Sequence, residues 1–313
     1  MTVALWRIST YYPEYIVANS EEKMTVLVLG ATGNVGPHVM SGLTARGEST
    51  RVLVRDGGRA RALFGANTAV VEGDATDPAV LSSALDGVDS VFLLTPHAFD
   101  MSDFQLRVIR ELRRTDIRIV KLSGTTSAIT PGGPHACRQH WEVEQVLKES
   151  GQPFVILRPN SFMQVLIGRL MLPSLRTTGK VMNPIGTAGI SLIDARDVGA
   201  VAAQVLTTHE YDGQTLVLTG PRSVTYAEIA DTVAVNTGEP TAVVEVTPAD
   251  VRGALIARGT EEWEADHFAE MYELFRAGES EFVTDTVQRV TGQTPRTVEA
   301  YLGEELAEAQ DIA

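Results

Sequence analysis

The chain has 313 residues, of which 44% are hydrophobic and 21% charged, a balance that suits a globular protein with a sizeable core. Its net charge of −14 argues against a general nucleic-acid partner, which needs clustered Lys and Arg. The lone cysteine, Cys137, excludes an internal disulfide and fits a reducing cytoplasm. No apolar run reaches the roughly 18 residues of a membrane-spanning helix. The composition therefore predicts a cytoplasmic protein without nucleic-acid or membrane partners.

The first 23 residues lack the basic start, long apolar core and cleavage site of a signal peptide. They precede Met24, which stands directly before the first predicted strand. We interpret residues 1–23 as an extension outside the core fold. The extension is either a misassigned start or an arm that packs on the domain or on a partner chain. A homodimer is compatible with this sequence.

From Thr25 onward, strands and helices alternate. The strand cores VLVL, RVLV, VFLL and FVIL are apolar, as expected where helices cover both faces of a sheet. Strands separated by helical patterns form βαβ units, so we expect a doubly wound α/β fold with a parallel sheet. The predicted strands are Thr25–Leu29, Thr50–Val54, Thr68–Glu72, Ser90–Leu94, Arg118–Leu122 and Phe154–Leu157. The helices between them are Val35–Arg46, Arg59–Phe64, Val80–Leu85, Asp103–Arg113 and Arg138–Ser150, and Asp77 is a predicted N-cap before Pro78.

After about Ser161 the alternation weakens. A helix is predicted over Phe162–Leu172, and Pro173 should end it. The helix Ala195–Thr207 should pack back on the main sheet. We therefore expect a nucleotide-binding domain over 24–160 plus about 193–211, a smaller α/β lobe over about 161–192 and 212–306, and a tail over 307–313. The lobe's predicted elements are the strands Ile190–Ile193, Thr215–Leu218 and Val243–Val246 and the helices Tyr226–Asn236, Pro248–Ala257, Glu261–Ala277 and Thr297–Leu306, with Thr225 as a cap.

A glycine-rich turn follows the first strand with the spacing Gly30-x-x-Gly33-x-x-Gly36. Glycine permits the tight turn, a close approach of backbone to phosphate, and close packing of helix on strand. The free N–H groups at the start of the next helix can hold a pyrophosphate. Because the turn joins a predicted strand to a predicted helix, it predicts a dinucleotide site.

The end of the second strand carries Arg55, with Arg59 and Arg61 close behind. An acidic residue here would accept from a free ribose 2′-hydroxyl, whereas an arginine suits a 2′-phosphate. Asp56 could serve as the hydroxyl acceptor instead. The arginine favours NADP(H), with NAD(H) as the alternative.

Two further strand ends carry candidate contacts. Asp74, in GDA after the third strand, can accept from an exocyclic amine such as that of adenine. Thr95 and Pro96 follow the fourth strand at the carboxyl edge of the sheet, where ligands bind in this architecture.

These motifs together resemble the NmrA-like group of atypical short-chain dehydrogenases/reductases, which have a Rossmann fold. The resemblance covers about Met24 to Leu306. It is carried by GATGNVG, Arg55, GDATD, LRPNSFM, IDARDVGAVA, LTGPRSVTYAEIA and TGQTPRT. The group includes NAD(P)H-dependent quinone and carbonyl reductases, and also dinucleotide-binding redox sensors that catalyse nothing.

The resemblance implies a set of cofactor contacts. Gly30, Thr32, Gly33, Asn34 and Val35 would surround the pyrophosphate, Arg55 would meet the 2′-phosphate, Asp74 and Ala75 the adenine, and Thr95 and Pro96 the ribose. Ser123, Pro159, Asn160 and Phe162 would flank the nicotinamide.

One family feature is absent. Most short-chain reductases carry Tyr-x-x-x-Lys on the helix before strand six, with the tyrosine as proton donor. Here Ala136 falls at the tyrosine position and His140 at the lysine position. Histidine at the second position resembles the quinone-reductase branch, and electrophilic quinones accept hydride with little help from the protein.

Histidines near the carboxyl edge are the acid–base candidates. His140 is the first choice, on the ribose or as proton donor, with water as the other proton source. His97 and, in the loop ITPGGPHAC, His135 are further candidates. Ser123 would position the nicotinamide, and Cys137 is a weak nucleophile candidate. The histidines show no metal spacing, so no metal is expected.

An apolar substrate pocket is expected in the second lobe. The segment GTEEWEADHFAEMYELF places Trp263, Phe268, Met271, Leu274 and Phe275 near helical spacing, which is typical of a core face and could also form a pocket wall. Phe162, Met163 and Ile167 could supply another wall. The sequence favours an NADPH-dependent reductase of a carbonyl, quinone or conjugated system in a small aromatic or polyketide-like molecule. A non-catalytic redox sensor and a cofactor-retaining isomerase, cyclase or dehydratase are the alternatives.

Overall fold

A parallel sheet forms the centre of the computed structural model, which describes residues 23–113 and 115–311. The predicted extension therefore lies, apart from Lys23, outside the described residues. The strands are β1 Thr25–Leu29, β2 Ser49–Val54, β3 Ala69–Glu72, β4 Ser90–Leu93, β5 Arg118–Leu122, β6 Phe154–Pro159, β7 Lys180–Asn183, β8 Gly189–Ile190, β9 Thr215–Leu218, β10 Val224–Thr225 and β11 Ala242–Glu245.

Helices cover the sheet and build most of the second lobe. They are α1 Gly36–Ala45, α2 Gly57–Phe64, α3 Pro78–Leu85, α4 Met101–Glu111, α5 His135–Glu149, α6 Leu172–Thr178, α7 Ala195–Leu206, α8 Tyr226–Thr237, α9 Pro248–Ala257, α10 Glu262–Arg276, α11 Thr286–Thr291 and α12 Val298–Asp311. A π-helical segment, Gln164–Met171, runs directly into α6.

The main sheet has seven strands in the order β3-β2-β1-β4-β5-β6-β9, and every pairing is parallel. The strand order reverses between β1 and β4, and parallel α/β sheets bind ligands at the carboxyl edge beside such a reversal. The predicted doubly wound Rossmann fold is confirmed. Helix α7 packs on α1 and on β4, β5 and β6, as expected.

The strand β9 lies in the main sheet, whereas the sequence analysis placed its residues in the smaller lobe. It pairs with β6, with Ile156 opposite Thr215. β9 covers the edge of the apolar strand β6, and the less buried β9 forms the edge of the sheet in its place. The lobe itself has two small sheets, β8 with β10 and β7 with β11.

The expectation that Pro173 ends a helix is wrong. The π-helical segment precedes Pro173, and the Leu172 N–H bonds the carbonyl of Ile167, five residues back. Pro173 then falls in the first turn of α6, directly after the π-helical segment, and the helix continues to Thr178. Position 168, inside the π-helical segment, is occupied by glycine. A Cβ there would come within 2.7 Å of the Tyr301 hydroxyl.

Residues of the sequence motifs IDARDVGAVA and TGQTPRT meet at the start of α7. The Asp194 side chain caps this helix by accepting from the Arg196 N–H at 2.8 Å, and its other oxygen accepts from Arg296 Nε at 3.0 Å. Asp197 accepts from the Arg296 backbone N–H at 2.8 Å. These bonds fix the segment that leads into α12 against the main domain.

A buried ion pair closes the end of the sheet opposite the carboxyl edge. Arg118, the first residue of β5, is 1% exposed, and its Nε lies 2.5 Å from Asp212 Oδ1. It also donates to the carbonyl of Val205 at the end of α7.

We predict that Asp212→Ala lowers the free energy of unfolding by about 2–3 kcal/mol, because it leaves a buried guanidinium unpaired; a fully buried pair costs roughly 3–5 kcal/mol to break. Urea denaturation measures the change. His209→Ala is the matched control, since His209 contacts the same carboxylate from the surface, with Nδ1 2.8 Å from Oδ2. Equal losses in both variants would contradict the assignment.

Candidate functional site

The glycine turn between β1 and α1 has no room for side chains at two of its positions. Gly30 has φ +70°, and a Cβ there would lie 2.9 Å from the carbonyl oxygen of Leu94. A Cβ on Gly36 would lie 2.3 Å from the Gly30 carbonyl. Helix α1 begins there with no side-chain cap among the described residues. The turn therefore offers backbone N–H groups and the positive end of the α1 dipole to an anion.

Arg55 lies beside this turn at the end of β2. Leu29 pairs with Leu53, so the residues that follow the two strands emerge side by side. Within the described ranges, Arg55 is exposed and makes no ion pair or side-chain hydrogen bond. The Asp56 carboxylate instead caps α2 by accepting from the Arg59 N–H at 2.9 Å. The arginine is available to an added phosphate, while the alternative acceptor is engaged.

Asp74 and Ala75 follow β3, next to the end of β2. Asp74 Oδ1 accepts from both the N–H and the hydroxyl of Thr76 at 2.8 Å. These two bonds, assisted by the nearby charge of Arg55, lower the pKa of the Asp74 carboxyl. The carboxylate is therefore ionised at neutral pH and fixed in one orientation.

A cavity of about 510 Å³ extends along the carboxyl edge of the sheet to α10. It brings together most of the predicted site residues. These are Gly30, Thr32, Gly33, Asn34, Val35, Thr95, Pro96, His97, Ser123, His140, Pro159, Asn160 and Phe162. Arg55, Asp74 and Ala75 do not line this cavity and instead lie at the ends of β2 and β3.

Ser123 is held by a buried ionic network. Its hydroxyl donates to Glu144 Oε1 at 2.6 Å, and Arg158 binds both oxygens of the same carboxylate at 3.0 and 2.5 Å. Burial works to raise the pKa of Glu144, but the bonds from Arg158 and Ser123 bring it below its ordinary value. Because its proton is directed at Glu144, Ser123 faces the cavity as a hydrogen-bond acceptor, which suits positioning rather than proton donation.

A lysine that the sequence analysis missed lies behind His140. Lys121, the fourth residue of β5, is 0% exposed, and its Nζ is 2.9 Å from His140 Nδ1. Burial lowers the pKa of Lys121 to about 7, and burial together with the lysine charge holds the pKa of His140 well below its usual range. A charged residue inside the apolar strand RIVKL was the only signal that could have identified it.

The far wall of the cavity is aromatic and comes from α10. His97, in the loop after β4, stacks on Trp263 of α10 with ring centroids 5.1 Å apart and planes 22° apart, but Trp263 itself does not line the cavity. His267 lies 4.9 Å from the His97 ring and is 8% exposed, and its Nδ1 has no partner among the described residues. Burial lowers the pKa of His267 to about 3 and that of His97 below its ordinary value, so both rings are neutral. A flat aromatic ligand fits such a wall.

The predicted apolar walls are partly as expected. Phe268, Met271 and Phe275 line the cavity from α10, together with Phe162 from the opposite side. Met163 and Ile167 are instead buried in the core of the second lobe. In their place Val165, Leu166, Arg169 and Leu170 of the π-helical segment form the second wall. A π-helical turn changes which residues face inward, and such turns are frequent at functional sites.

Asn160 and Cys137, two further candidate residues, are held by contacts within the protein. The Asn160 amide donates to the Ser280 carbonyl at 3.1 Å, and the Ser280 hydroxyl donates back at 3.2 Å, so this side chain links β6 to the loop after α10. Cys137 lines the cavity beside Met271, and burial raises the pKa of its thiol to about 12. The thiol is therefore a poor nucleophile.

In the part of the chain that the structure describes, no group of three or more His, Cys, Asp and Glu side chains is arranged to hold a metal ion. None of the helices described here has the length and apolar character needed to cross a membrane.

The fold and the cavity define a protein of the dinucleotide-binding α/β class with a second lobe that closes the site. A profile of the NmrA-like family matches residues 22–302. The chain belongs to the NmrA-like family.

Named relatives cover most of the chain. It is 32% identical to an NAD(P)H azoreductase of Xenophilus azovorans over 272 residues, 87% of this chain and 94% of that protein. It is 33% identical to a (4-alkanoyl-5-oxo-2,5-dihydrofuran-3-yl)methyl phosphate reductase of Streptomyces griseus, with the same coverage. A solved NADPH complex of the Escherichia coli quinone oxidoreductase QOR2 superposes with a TM-score of 0.81 over 90% of this chain and 99% of that one. At 22% identity, this last likeness shows the fold alone.

We predict that Lys121→Met raises the free energy of unfolding at pH 7 by roughly 1–3 kcal/mol. At about 1.4 kcal/mol per pKa unit the lowered pKa of the buried ammonium corresponds to about 5 kcal/mol, and the loss of the Lys121 bonds to His140 and Leu122 offsets part of that gain. The ammonium loses its proton near pH 7 in the folded protein and near pH 10.5 in the unfolded chain. Wild-type stability therefore rises with pH across that interval, and its deficit relative to the variant shrinks.

Chemical denaturation at pH 7 and pH 10 measures both effects. Lys148→Met is the control, because Lys148 is more than a third exposed and pairs with Glu144 at the surface end of the same network. A Lys121→Met protein that is less stable than wild type at pH 7 would contradict the prediction.

Proposed function

We propose that this protein is an NADPH-dependent reductase of a small, flat, conjugated molecule such as a quinone, an azo compound or an activated carbonyl. The observation that carries the proposal is a single cavity that joins the glycine turn to an aromatic wall. The names of the relatives, which include an NAD(P)H azoreductase and a quinone oxidoreductase, support the same class of reaction.

The residues fit the cofactor on their own geometry. Gly30, Gly33 and Gly36 leave the backbone open at the uncapped start of α1, which suits a pyrophosphate. Arg55 is exposed and available for a 2′-phosphate, while Asp74 and Ala75 would meet the adenine. Thr32, Asn34, Val35, Thr95 and Pro96 would hold the remaining parts of the dinucleotide. When bound, NADPH supplies the hydride that reduces the substrate.

The protein's own groups position the reactants and deliver a proton. Ser123 and Asn160, both held by internal hydrogen bonds, present fixed polar atoms beside Pro159 and Phe162, where the nicotinamide would lie. His140 reaches the cavity from α5 and is the proton donor. His97 and Phe268, which line the cavity, place a flat substrate by stacking, and Trp263 supports the His97 ring from outside the cavity. The apolar walls exclude water from the transfer.

We predict that Arg55→Met raises the KM for NADPH about 10- to 100-fold and leaves the KM for NADH unchanged, because a charge-assisted pair with the 2′-phosphate contributes about 1.5–3 kcal/mol. Steady-state kinetics with both cofactors tests this. Arg258→Met, at an exposed arginine after α9, is the matched control. Equal losses for both cofactors would show that Arg55 does not read the 2′-phosphate.

The reductase proposal itself is tested by mixing the protein with NADPH and following its absorbance with a panel of quinones, azo dyes and activated ketones. We expect NADPH oxidation at one equivalent per two-electron reduction. Cofactor binding in a fluorescence titration without oxidation by any acceptor would overturn the reductase and favour the sensor. Product formation without net nicotinamide change would favour the isomerase or cyclase.

The proposal places the protein in the cytoplasm, which suits its single buried thiol. A homodimer is part of the same proposal, and light scattering of the full chain decides it.

A further inference from the structure

We propose that Lys121 is the proton reservoir of the reaction and acts through His140, whose tautomer it fixes so that Nε2–H faces the substrate. The inference rests on the proposed reductase function and adds a residue that none of the predicted motifs contains. It makes His140 a relay and Lys121 a positioning and proton-supplying residue behind it.

The direction of the hydrogen bond follows from the groups present. A protonated lysine has donors and no acceptor, so Lys121 Nζ must donate to His140 Nδ1 across the 2.9 Å contact. The same Nζ also donates to the carbonyl of Leu122 at 3.2 Å. With Nδ1 accepting, the single proton of neutral His140 is on Nε2.

Nε2 is placed to use that proton. His140 lines the cavity, and its Nε2 makes no hydrogen bond to any described residue. Nε2 is also not fully buried, so it remains accessible to a ligand in the cavity. Ala136, one helical turn earlier on the same face of α5, lines the cavity with a methyl group only, so no competing donor stands beside His140.

The charges around the pair keep the histidine neutral. Burial opposes a second proton on His140, and the charges of Lys121 and Arg158 oppose it further. Glu144 is the one nearby carboxylate among the described groups acting on Lys121, and it is engaged by Arg158 and Ser123. The charge of the pair therefore resides on the lysine.

The proton transfer balances in atoms and charge. The substrate gains a hydride, with its two electrons, under the proposed function, and the resulting oxyanion or nitrogen anion takes the proton from Nε2. Nδ1 takes a proton from Lys121 Nζ, so the imidazole stays neutral with its tautomer inverted and the lysine becomes a neutral amine. After product leaves, a solvent proton on Nε2 and the return of the Nδ1 proton to Nζ restore the starting state.

The first test needs neither cofactor nor substrate. In ¹⁵N-histidine NMR of the full chain, we expect His140 to be neutral with the proton on Nε2 between about pH 6 and pH 7, where Lys121 still carries its proton. In Lys121→Met, that tautomer preference should be lost and the His140 titration should move towards its ordinary range. An Nδ1–H tautomer in the wild type would overturn the proposal.

The second test is the pH dependence of kcat at saturating NADPH with an activated ketone, which needs the proton more than an electrophilic quinone does. Wild-type kcat should be flat at low pH and fall about tenfold per pH unit above about 7, because the lysine then loses its proton. Lys121→Met should lower kcat at low pH at least about tenfold and remove its decrease above about pH 7. Lys180→Met, at an exposed lysine of β7, should keep the wild-type kcat and its pH dependence.

The outcomes are distinguishable. A His140→Phe variant should match Lys121→Met, and the double variant should be no slower than either, since the two groups act as one unit. If kcat of Lys121→Met still falls above about pH 7 as in the wild type, the relay is overturned. A wild type that oxidises no NADPH defeats the reductase proposal instead, and the tautomer seen by NMR then still decides whether Lys121 orients His140.

Discussion

The architecture of the site depends on a close approach of backbone to backbone. At the reversal between β1 and β4, the turn after β1 lies against the end of β4, and a Cβ on Gly30 would touch both the carbonyl and the side chain of Leu94. The start of α1 lies against the same turn at Gly36. Any side chain at Gly30 or Gly36 would push the turn away from Leu94 or push α1 away from the turn. The two glycines therefore determine where the start of α1, and with it the anion site, lies relative to the sheet.

Around that turn, the protein retains buried charges where apolar residues would be more stable. Lys121 is fully buried without a dedicated carboxylate partner, and the Glu144–Arg158 pair lies beside it. Burying a charge opposes folding, so such a cluster is a poor means of stabilisation. The cluster lies behind Ser123 and His140, which line the cavity. Residues with strongly perturbed pKa values are concentrated at such positions in active sites. The arrangement exchanges stability for a proton that is available near neutral pH.

Local signals in the sequence predicted a good part of this. The predicted bounds of β1 and β5 agree with the structure, and Asp77 and Thr225 cap their helices as expected. What local signals could not supply was non-local pairing and register. Nothing in Thr215–Leu218 states that it will cover the edge of β6. Likewise, a proline rule based on α-helices fails where a π-helical turn precedes Pro173.

The same limit applies to the site. Positions that follow strand ends, such as Thr95 and Ser123, could be placed at the cavity from the sequence because the topology brings them to one edge. Lys121 could not, since a charged residue in a strand reads as a surface position until its neighbours are known. The direction of the Ser123 proton also depends on Glu144, a residue 21 positions away.

The aromatic wall on α10 divides the site into two parts that lie far apart in the sequence. The glycine turn and Arg55 lie in the first third of the chain, whereas the wall residues His267, Phe268 and Met271 come from a separate late segment. Substitutions on α10 therefore change the surface that a substrate meets, whereas the glycine turn lies on other elements. The anion site and the substrate wall are thus encoded far apart in the chain.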